Sequence, residues 1–119
     1  MPSIEDRKDI FDIHANFCSI FSSPLRLRIL WFLGEEEKTV TELARELEVA
    51  VPNISQHLRI MRDQGAVDTR REGRTVYYKL ANSKFLQGVR LIREGLKEEL
   101  NKKISIGTAE NHRAVKEQF

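Results

Sequence analysis

Residues 39–80 constrain the fold most, because two helix signals meet there across a tight corner and a hairpin signal follows directly. The first helix begins at a capping box, in which the Thr39 hydroxyl and the Glu42 carboxylate each cover a backbone N–H that the first turn leaves unpaired. Pro52 then fits the first turn of a second helix, since its fixed φ and missing N–H do no harm there. The spacing predicts two short helices joined by a turn.

The second helix, predicted over residues 52–64, has one apolar face. The residues on that face, which repeat at helical spacing, are Ile54, Leu58 and Met61. Gly65 ends the pattern. His57 lies beside this face, and we expect it to pack or to form a hydrogen bond next to the core.

Beyond the second helix, the hydrophobic period changes from that of a helix to that of a strand. Residues 66–71 and 75–80 form two short runs, and Glu72 and Gly73 supply a permissive turn between them. The hairpin predicted over residues 66–80 has a cationic tip, with basic side chains at Arg70, Arg71 and Arg74. This order of elements predicts a winged helix-turn-helix, which suits a protein that lays one helix in a DNA groove with a β-hairpin beside it.

The segments on either side of this unit predict further helices. A Ser23-Pro24 cap opens a helix that Gly34 ends, and a charged, solvated connector over residues 35–38 leads from there to Thr39. The N-terminal and C-terminal segments each have one apolar helical face, and Ser83 caps the C-terminal helix. The apolar residues of these two faces are Ile10, Ile13, Phe17 and Phe21, followed by Phe85, Val89, Ile92, Leu96 and Leu100.

We therefore expect a mainly α fold with a small β-hairpin, built from about five to six helices plus the wing. The terminal helices carry more apolar surface than the core of so short a chain needs, so we expect a homodimer formed through them. A chain of 119 residues suits one domain. That domain, with its dimerisation helices, is predicted over residues 1–100. Residues 101–119 are a tail, in which residues 108–119 either form a short helix or fray.

The charges are unevenly distributed along the chain, although the net charge of +2 is too small to identify a nucleic-acid binder. Residues 1–52 carry six Lys and Arg against ten Asp and Glu, whereas residues 53–79 carry six against three. Positive charge thus gathers at the second helix and the hairpin, as attraction to phosphates requires.

Bulk features bear on location and redox chemistry. No apolar run approaches the roughly 20 residues that span a bilayer. An export signal has a basic segment followed by an apolar one, whereas residues 1–12 are acidic. We expect a cytoplasmic protein without a membrane partner. Cys18 is the only cysteine, which excludes a disulfide or a cysteine-pair zinc site within one subunit.

Four segments resemble, in order and spacing, the successive motifs of ArsR/SmtB-type repressors. They are S-S-P-L-R-L-R-I-L-W-F-L at 22–33, T-V-T-E-L-A-R-E-L at 39–47, N-I-S-Q-H-L-R-I-M-R-D-Q-G-A-V at 53–67 and R-R-E-G-R-T-V-Y-Y-K-L at 70–80. The resemblance covers about residues 10–100. It implies a winged-helix homodimer, held together by its first and last helices, that binds a palindromic double-stranded DNA operator and releases it when an inducer arrives.

Repressors of this type commonly sense metals through one of two ligand sets, and this chain departs from both. The first set is a cysteine cluster at the start of the helix before the recognition helix, but residues 38–47 contain no cysteine. The second set, an Asp/His and His/Glu pattern on the C-terminal helix, is replaced by Asn82, Ser83 and Lys84, and then by Arg93, Lys97 and Glu98. Protonated Lys and Arg cannot ligate a dication, so we expect no metal cofactor, and the inducer stays unknown.

The N-terminal half of a recognition helix is the part that reaches base edges in the major groove. The candidates at these positions are Val51, Pro52, Asn53, Ser55 and Gln56. Gln56 is the strongest of them, because its amide can pair bidentately with adenine, and Asn53 is the next. Arg59 and Arg62 lie further along the helix and are candidates for phosphate contacts. The hairpin arginines, expected to hold the flanking DNA backbone or to enter a narrow minor groove, are Arg70, Arg71 and Arg74.

His14 and Cys18 lie four positions apart and would share one side of a helix. Two ligands are too few for a metal site unless a dimer doubles them and His112 or a C-terminal carboxylate completes the set. Cysteine is among the most buried residue types, and Cys18 lies between Phe17 and Phe21, so core packing is favoured over metal or redox sensing. An organic effector in an interface pocket is equally open.

Two functions from different classes stay open. The chain is either a dimeric, sequence-specific transcriptional repressor or a winged-helix protein-interaction or dimerisation module that no longer binds DNA. The basic hairpin tip and the polar Asn53, Ser55 and Gln56 favour the repressor, because an interaction module has no need of cations there. We do not expect an enzyme, since the sequence offers no paired-carboxylate pocket, nucleophile elbow, phosphate loop or metal triad.

Overall fold

A computed structural model describes Ser3 and residues 7–106, the last two of them by their backbone only. The chain divides into two compact units, Met1–Ser83 and Lys84–Phe119. The helices of the first unit are α1 (Ile10–Cys18), a short 3₁₀ helix (Ser19–Ser22), α2 (Pro24–Leu33), α3 (Val40–Leu47) and α4 (Val51–Asp63). Its strands are β1 (Val67–Glu72) and β2 (Thr75–Leu80), and the second unit contains α5 (Lys84–Ile106). The expected class, a mainly α winged helix-turn-helix with a two-stranded wing, is confirmed.

The predicted N-terminal caps of α2 and α3 are both present. The Arg26 N–H donates to Ser23 Oγ at 3.3 Å, and a proline occupies the first turn of α2. At α3 the Glu42 N–H donates to Thr39 Oγ1 at 3.1 Å, and the Thr39 N–H donates to Glu42 Oε1 at 3.4 Å. Both helices therefore begin where the sequence predicts, because local hydrogen bonds decide the position of their first turn.

The corner between α3 and α4 is turned by Glu48, whose φ of 56° lies in the left-handed region. Two backbone hydrogen bonds close the end of α3, from the Glu48 N–H to Arg45 O at 3.3 Å and from the Val49 N–H to Ala44 O at 3.0 Å. Residues other than glycine are strained in this conformation. The strain is confined to one residue and lets α4 start directly after the corner.

The core of the first unit is apolar, and α4 contributes one face to it. The apolar residues that are buried in this unit are Ile20, Ile29, Leu30, Leu33, Leu43, Ala44, Leu47, Ile54, Leu58, Met61, Ala66 and Val67. The three residues predicted on the apolar face of α4 are among them. Each large side chain buried in this way stabilises the fold by about 1.5–3 kcal/mol, which fixes the rotation of α4 about its axis.

The first strand of the hairpin is shifted by one residue from the prediction, whereas the second strand has the predicted bounds. β1 begins at Val67 and continues to Glu72, which pairs with Thr75, so the two-residue turn is Gly73 and Arg74. Gly73 has a φ of 61°, and a two-residue hairpin turn of this kind needs a positive φ at its first position. The predicted turn at Glu72 and Gly73 is therefore wrong, because the ladder gains a pair when glycine takes the first turn position.

The connector predicted as solvated is partly built into the core, since Lys38 is only 3% exposed. Its N–H donates to Tyr78 O at 3.0 Å and its carbonyl accepts from the Tyr78 N–H at 2.8 Å, which bridges it to β2. The ammonium pairs with Glu46 Oε1 at 3.1 Å and with Glu36 Oε1 at 3.3 Å. The hydrogen bond that the Lys38 ammonium donates to Glu46 raises the pKa of Lys38, so this amine is held charged despite its burial.

No side chain of α1 is buried, and Phe11 is 82% exposed. Cys18, which was expected to pack in the core, is exposed, so that expectation is wrong. The helix ends at Cys18 and the chain continues as the 3₁₀ helix Ser19–Ser22, which turns Ile20 into the core. The tighter winding of a 3₁₀ helix changes which residues share a face, and Cys18 is left on the outside.

α5 follows Ser83, as predicted, and has 23 residues. Among its apolar side chains, Leu86 and Val89 are buried, whereas Leu91 and Ile92 are 67% and 65% exposed. The helix continues past residue 100, while the division into residues 1–100 and 101–119 stays a prediction, and the short helix considered over 108–119 lies outside the described residues. Within the described residues, every helix is too short or too polar to cross a bilayer.

Candidate nucleic-acid interface

The N-terminal half of α4 presents an exposed surface on the side opposite the core. The five residues predicted to contact bases are all exposed, and they are Val51, Pro52, Asn53, Ser55 and Gln56. Ile54 lies between them in sequence and is fully buried. Because Ile54 anchors the first turn of α4, the polar side chains on either side of it are directed away from the core.

Arg59 and Arg62 follow Gln56 at three-residue intervals and continue the exposed side of α4 toward its C-terminus. Both are exposed, and neither forms an ion pair with a residue that the structure describes. These two arginines therefore offer free positive charge next to the candidate base-contact residues.

His57 joins the exposed side of α4 to α2, since Arg26 Nε donates to His57 Nδ1 at 3.1 Å. Burial lowers the pKa of His57, and the nearby charge of Arg26 lowers it further, so the ring is neutral and accepts this hydrogen bond. The expectation that His57 forms a hydrogen bond beside the core is confirmed. Its partner Arg26 was missed, because contacts between separate helices leave no periodic signal in a sequence.

Arg70, predicted to contact DNA, is engaged within the chain. Its Nε donates to Glu37 Oε2 at 3.3 Å, its Nη2 donates to the other Glu37 oxygen, and its Nη1 donates to Glu72 Oε2 at 2.9 Å. The guanidinium also lies over the Tyr77 ring, 4.5 Å from the ring centroid. The hydrogen bond with Glu37 raises the pKa of Arg70 and lowers that of Glu37. No local pattern in the sequence points to Glu37 as a partner, because it lies 33 positions from Arg70.

The other two hairpin arginines have different surroundings. Arg71 pairs with Val76 on the ribbon face opposite to Arg70, and Arg74 occupies the turn. Both are exposed, and neither forms an ion pair with a described residue. The cationic tip thus consists of Arg71 and Arg74, whereas the charge of Arg70 is offset by two carboxylates.

Comparison with known proteins decides the family. The sequence pattern of the family described as bacterial regulatory protein, arsR family, matches residues 23–69. The transcriptional repressor SmtB homolog of Synechocystis is 38% identical over 84 residues, which are 71% of this chain and 64% of that protein. The nodulation protein NolR of Rhizobium meliloti is 35% identical over 86 residues, 72% of this chain and 70% of that protein. The chain belongs to the ArsR family.

The fold of this ArsR-family chain is also found in solved structures. The homodimeric winged helix-turn-helix DNA-binding domain of a possible ArsR-family regulator from Mycobacterium bovis superposes with a TM-score of 0.71 at 27% identity, and the match covers 82% of this chain and 92% of that one. The resemblance to ArsR/SmtB-type repressors is confirmed, and the family is a class of regulatory proteins rather than enzymes. The chain spans less than two thirds of the length of the Synechocystis relative.

The residues considered for metal binding lie on α1. His14 and Cys18 are both exposed, and His14 lines a shallow apolar groove of about 430 Å³ together with Ile10, Phe11, Ile13 and Phe17. Across the part of this ArsR-family chain that the structure describes, no group of three or more His, Cys, Asp or Glu side chains is arranged to hold a metal ion.

Proposed function

We propose that this chain is a cytoplasmic, dimeric, sequence-specific transcriptional repressor that binds a palindromic double-stranded DNA operator. The observation that carries the proposal is the exposed first half of α4, whose polar Asn53, Ser55 and Gln56 face away from a core that holds Ile54 and Leu58. A cationic hairpin belongs to the same compact unit. Membership of a family of regulatory proteins supports the same conclusion.

α4 acts as the recognition helix and enters the major groove, whose width of about 12 Å admits one helix with its side chains. Gln56 pairs with adenine through its amide, Asn53 has the same capacity, and Ser55 adapts to either donor or acceptor. Val51 and Pro52 contact apolar edges such as thymine methyl groups. These contacts select the sequence of the operator.

Phosphate contacts position the protein on the duplex and supply most of the affinity that does not depend on sequence. The exposed Arg59 and Arg62 extend along α4 beside the base-contact residues, and Arg71 and Arg74 lie at the hairpin tip. Each neutralised phosphate releases condensed counterions, so log Kobs falls by about 0.9 per phosphate for each unit of log salt.

The dimer forms through α1 and α5. Each helix carries large apolar side chains in contact with solvent, among them Phe11 on α1 and Leu91 and Ile92 on α5. A second copy that covers them removes apolar surface from water at about 25 cal/mol per Å². The two-fold symmetry of such a dimer pairs two recognition helices with two half-sites, which is the reason for a palindromic operator.

Selection of bound sequences from a random DNA pool tests this proposal. We expect enrichment of a palindromic motif, affinity for the selected duplex that exceeds that for a random-sequence duplex by about 10³-fold or more, and a steep loss of affinity with salt. Size-exclusion chromatography with light scattering should give the mass of a dimer at micromolar concentration. A folded protein that binds neither duplex would instead be an interaction module, and a monomer would exclude the paired recognition helices.

A further inference from the structure

We infer that Arg70 is a positioning residue, which holds the hairpin in one orientation on the first unit through Glu37, and that phosphate contact at the wing falls to Arg71 and Arg74. This inference rests on the proposed function, since it assigns different roles in DNA binding to the hairpin arginines. It also departs from the expectation, based on sequence, that the three arginines act alike.

The surroundings of Arg70 are those of an anchor rather than of a phosphate ligand. Its guanidinium donates to both oxygens of Glu37 and to Glu72, and one face of the group lies over the Tyr77 ring. Two carboxylates thus contact one guanidinium and leave a net negative charge around it. A phosphate that approached Arg70 would be repelled by Glu37 and Glu72. Bidentate pairs of this kind fix geometry, because the planar guanidinium matches the carboxylate in only a few orientations.

The partner of this anchor is itself held in place. Glu37 directly precedes Lys38, whose backbone forms hydrogen bonds in both directions with Tyr78 of β2 and whose ammonium is buried between two glutamates. Arg70 lies across from Tyr77, one residue nearer the hairpin tip than Tyr78. The hairpin is therefore attached at two adjacent levels, by the backbone bridge and then by the Arg70–Glu37 pair.

A second attachment matters because a two-stranded hairpin alone is at best marginally stable in water. Beyond Arg70 the ribbon contains only the pairs Arg71–Val76 and Glu72–Thr75 before the turn. Arg71 and Arg74 lie on this free end, exposed and without an ion-pair partner among the described residues. An anchor at Arg70 sets where those two cations meet the DNA backbone.

The salt dependence of binding to a random-sequence duplex separates the two roles. Replacing a phosphate contact in both subunits, as in Arg71→Gln, should lower the slope of log Kobs against log salt by about 1.8. Arg70→Gln should weaken binding by about two- to fivefold and leave the slope at its wild-type value. A slope that falls in Arg70→Gln as far as in Arg71→Gln would overturn the inference, because Arg70 would then be neutralising phosphate.

Glu37→Gln gives an independent test, since its two possible effects have opposite signs. Removal of a negative charge near the wing strengthens DNA binding if Arg70 is released to contact phosphate. If Arg70 is an anchor, Glu37→Gln weakens binding as Arg70→Gln does, and the swapped pair Glu37→Arg with Arg70→Glu recovers part of the loss. Stronger binding by Glu37→Gln, or a swapped pair as weak as Arg70→Glu alone, would contradict the anchoring role.

Amide hydrogen exchange, measured without DNA, tests the anchoring role of Arg70 independently of the proposed function. Arg70→Gln and Glu37→Gln should speed exchange of the hairpin amides, whereas Arg71→Gln should leave it unchanged, because Arg71 makes no described ion pair. Equal protection in all variants would show that Arg70 anchors nothing. If the wild-type protein bound no DNA while both anchor variants loosened the hairpin, the proposed function would fail and the anchor would stand.

Discussion

Arg26 and His57 join α2 to α4 through one hydrogen bond, from Arg26 Nε to His57 Nδ1 at 3.1 Å. The bond exists only while the imidazole is neutral, since a protonated Nδ1 would be a donor facing another donor. His57 adjoins Gln56 in sequence, so the charge of this ring bears on the placement of the strongest candidate for base contact.

The stability of the fold should therefore fall in mild acid through His57. Its pKa in the folded protein is lowered from the ordinary value of 6.5 because of burial and the charge of Arg26. Well above pH 6.5 the ring is neutral in both the folded and the unfolded state, and the contribution to stability is complete. As the pH falls through 6.5 toward the lower folded-state pKa, the unfolded state takes up the proton first and the contribution is lost. Urea unfolding at a series of pH values measures this loss.

His57→Asn and His14→Asn form a matched pair for that experiment. Asparagine at position 57 keeps an acceptor near Nδ1 but does not titrate, so the free energy of unfolding of His57→Asn should depend less on pH than that of the wild type. His14 is exposed on α1, and His14→Asn should follow the wild-type profile. Parallel pH profiles for His57→Asn and the wild type would mean that another group causes the acid sensitivity.

Gln56→Ala should reduce sequence preference rather than affinity in general. Loss of a bidentate amide contact with adenine costs about 1–3 kcal/mol at one base pair of each half-site, while random-sequence DNA loses no such contact. Fluorescence anisotropy with the selected operator, its single-base variants and a random-sequence duplex measures the difference. Gln64→Ala, at the far end of the same helix, is the control and should bind like the wild type; an equal loss on every duplex in Gln56→Ala would rule out base contact.

The parts of the fold that follow local rules could be predicted from the sequence. The Ser23 cap, the capping box at Thr39 and the buried face of α4 each depend on residues within one or two turns of each other, and each was placed correctly. The one-residue shift of the hairpin turn marks the limit of such rules, because strand pairing and the positive φ of Gly73 together decide the register.

The contacts that join separate elements could not be predicted in this way. Lys38 is buried because its backbone pairs with β2, and Arg70 is held because Glu37 reaches it from the connector between α2 and α3. Neither contact has a periodic or local signature, so the run of charged residues over 35–38 predicts a solvated connector rather than a buried lysine. For the candidate interface, the sequence thus predicted the exposed residues of α4. It could not distinguish Arg70, which is paired with carboxylates, from Arg71 and Arg74, which form no ion pair with a described residue.

Glu48→Gly should stabilise the fold, because Glu48 is the one described residue other than glycine with a positive φ. The left-handed conformation costs an L residue roughly 1–2 kcal/mol, and the greater freedom of glycine in the unfolded chain offsets about half of the gain. We expect an increase of up to about 1 kcal/mol in the free energy of unfolding, measured with urea. Glu48→Ala removes the same charge but keeps the strained backbone, so it should bring no increase, and a gain as large as that of Glu48→Gly would assign the effect to charge.

Phe11→Ser should shift the dimer toward monomer without unfolding the subunit. Phe11 is 82% exposed, so its ring contributes little to the fold of one chain, whereas a dimer formed through α1 would bury it. Burial of a phenylalanine side chain is worth about 1.5–3 kcal/mol, and the symmetric interface contains the residue twice, so the dissociation constant should rise by about 10²-fold or more. Sedimentation equilibrium measures this change, and circular dichroism checks that the helices are retained.

Val51→Ser is the matched control, since Val51 is also an exposed apolar residue but lies on the proposed DNA-binding face of α4. It should leave the dimer intact, and an unchanged dimer in Phe11→Ser would place the subunit interface away from this part of α1.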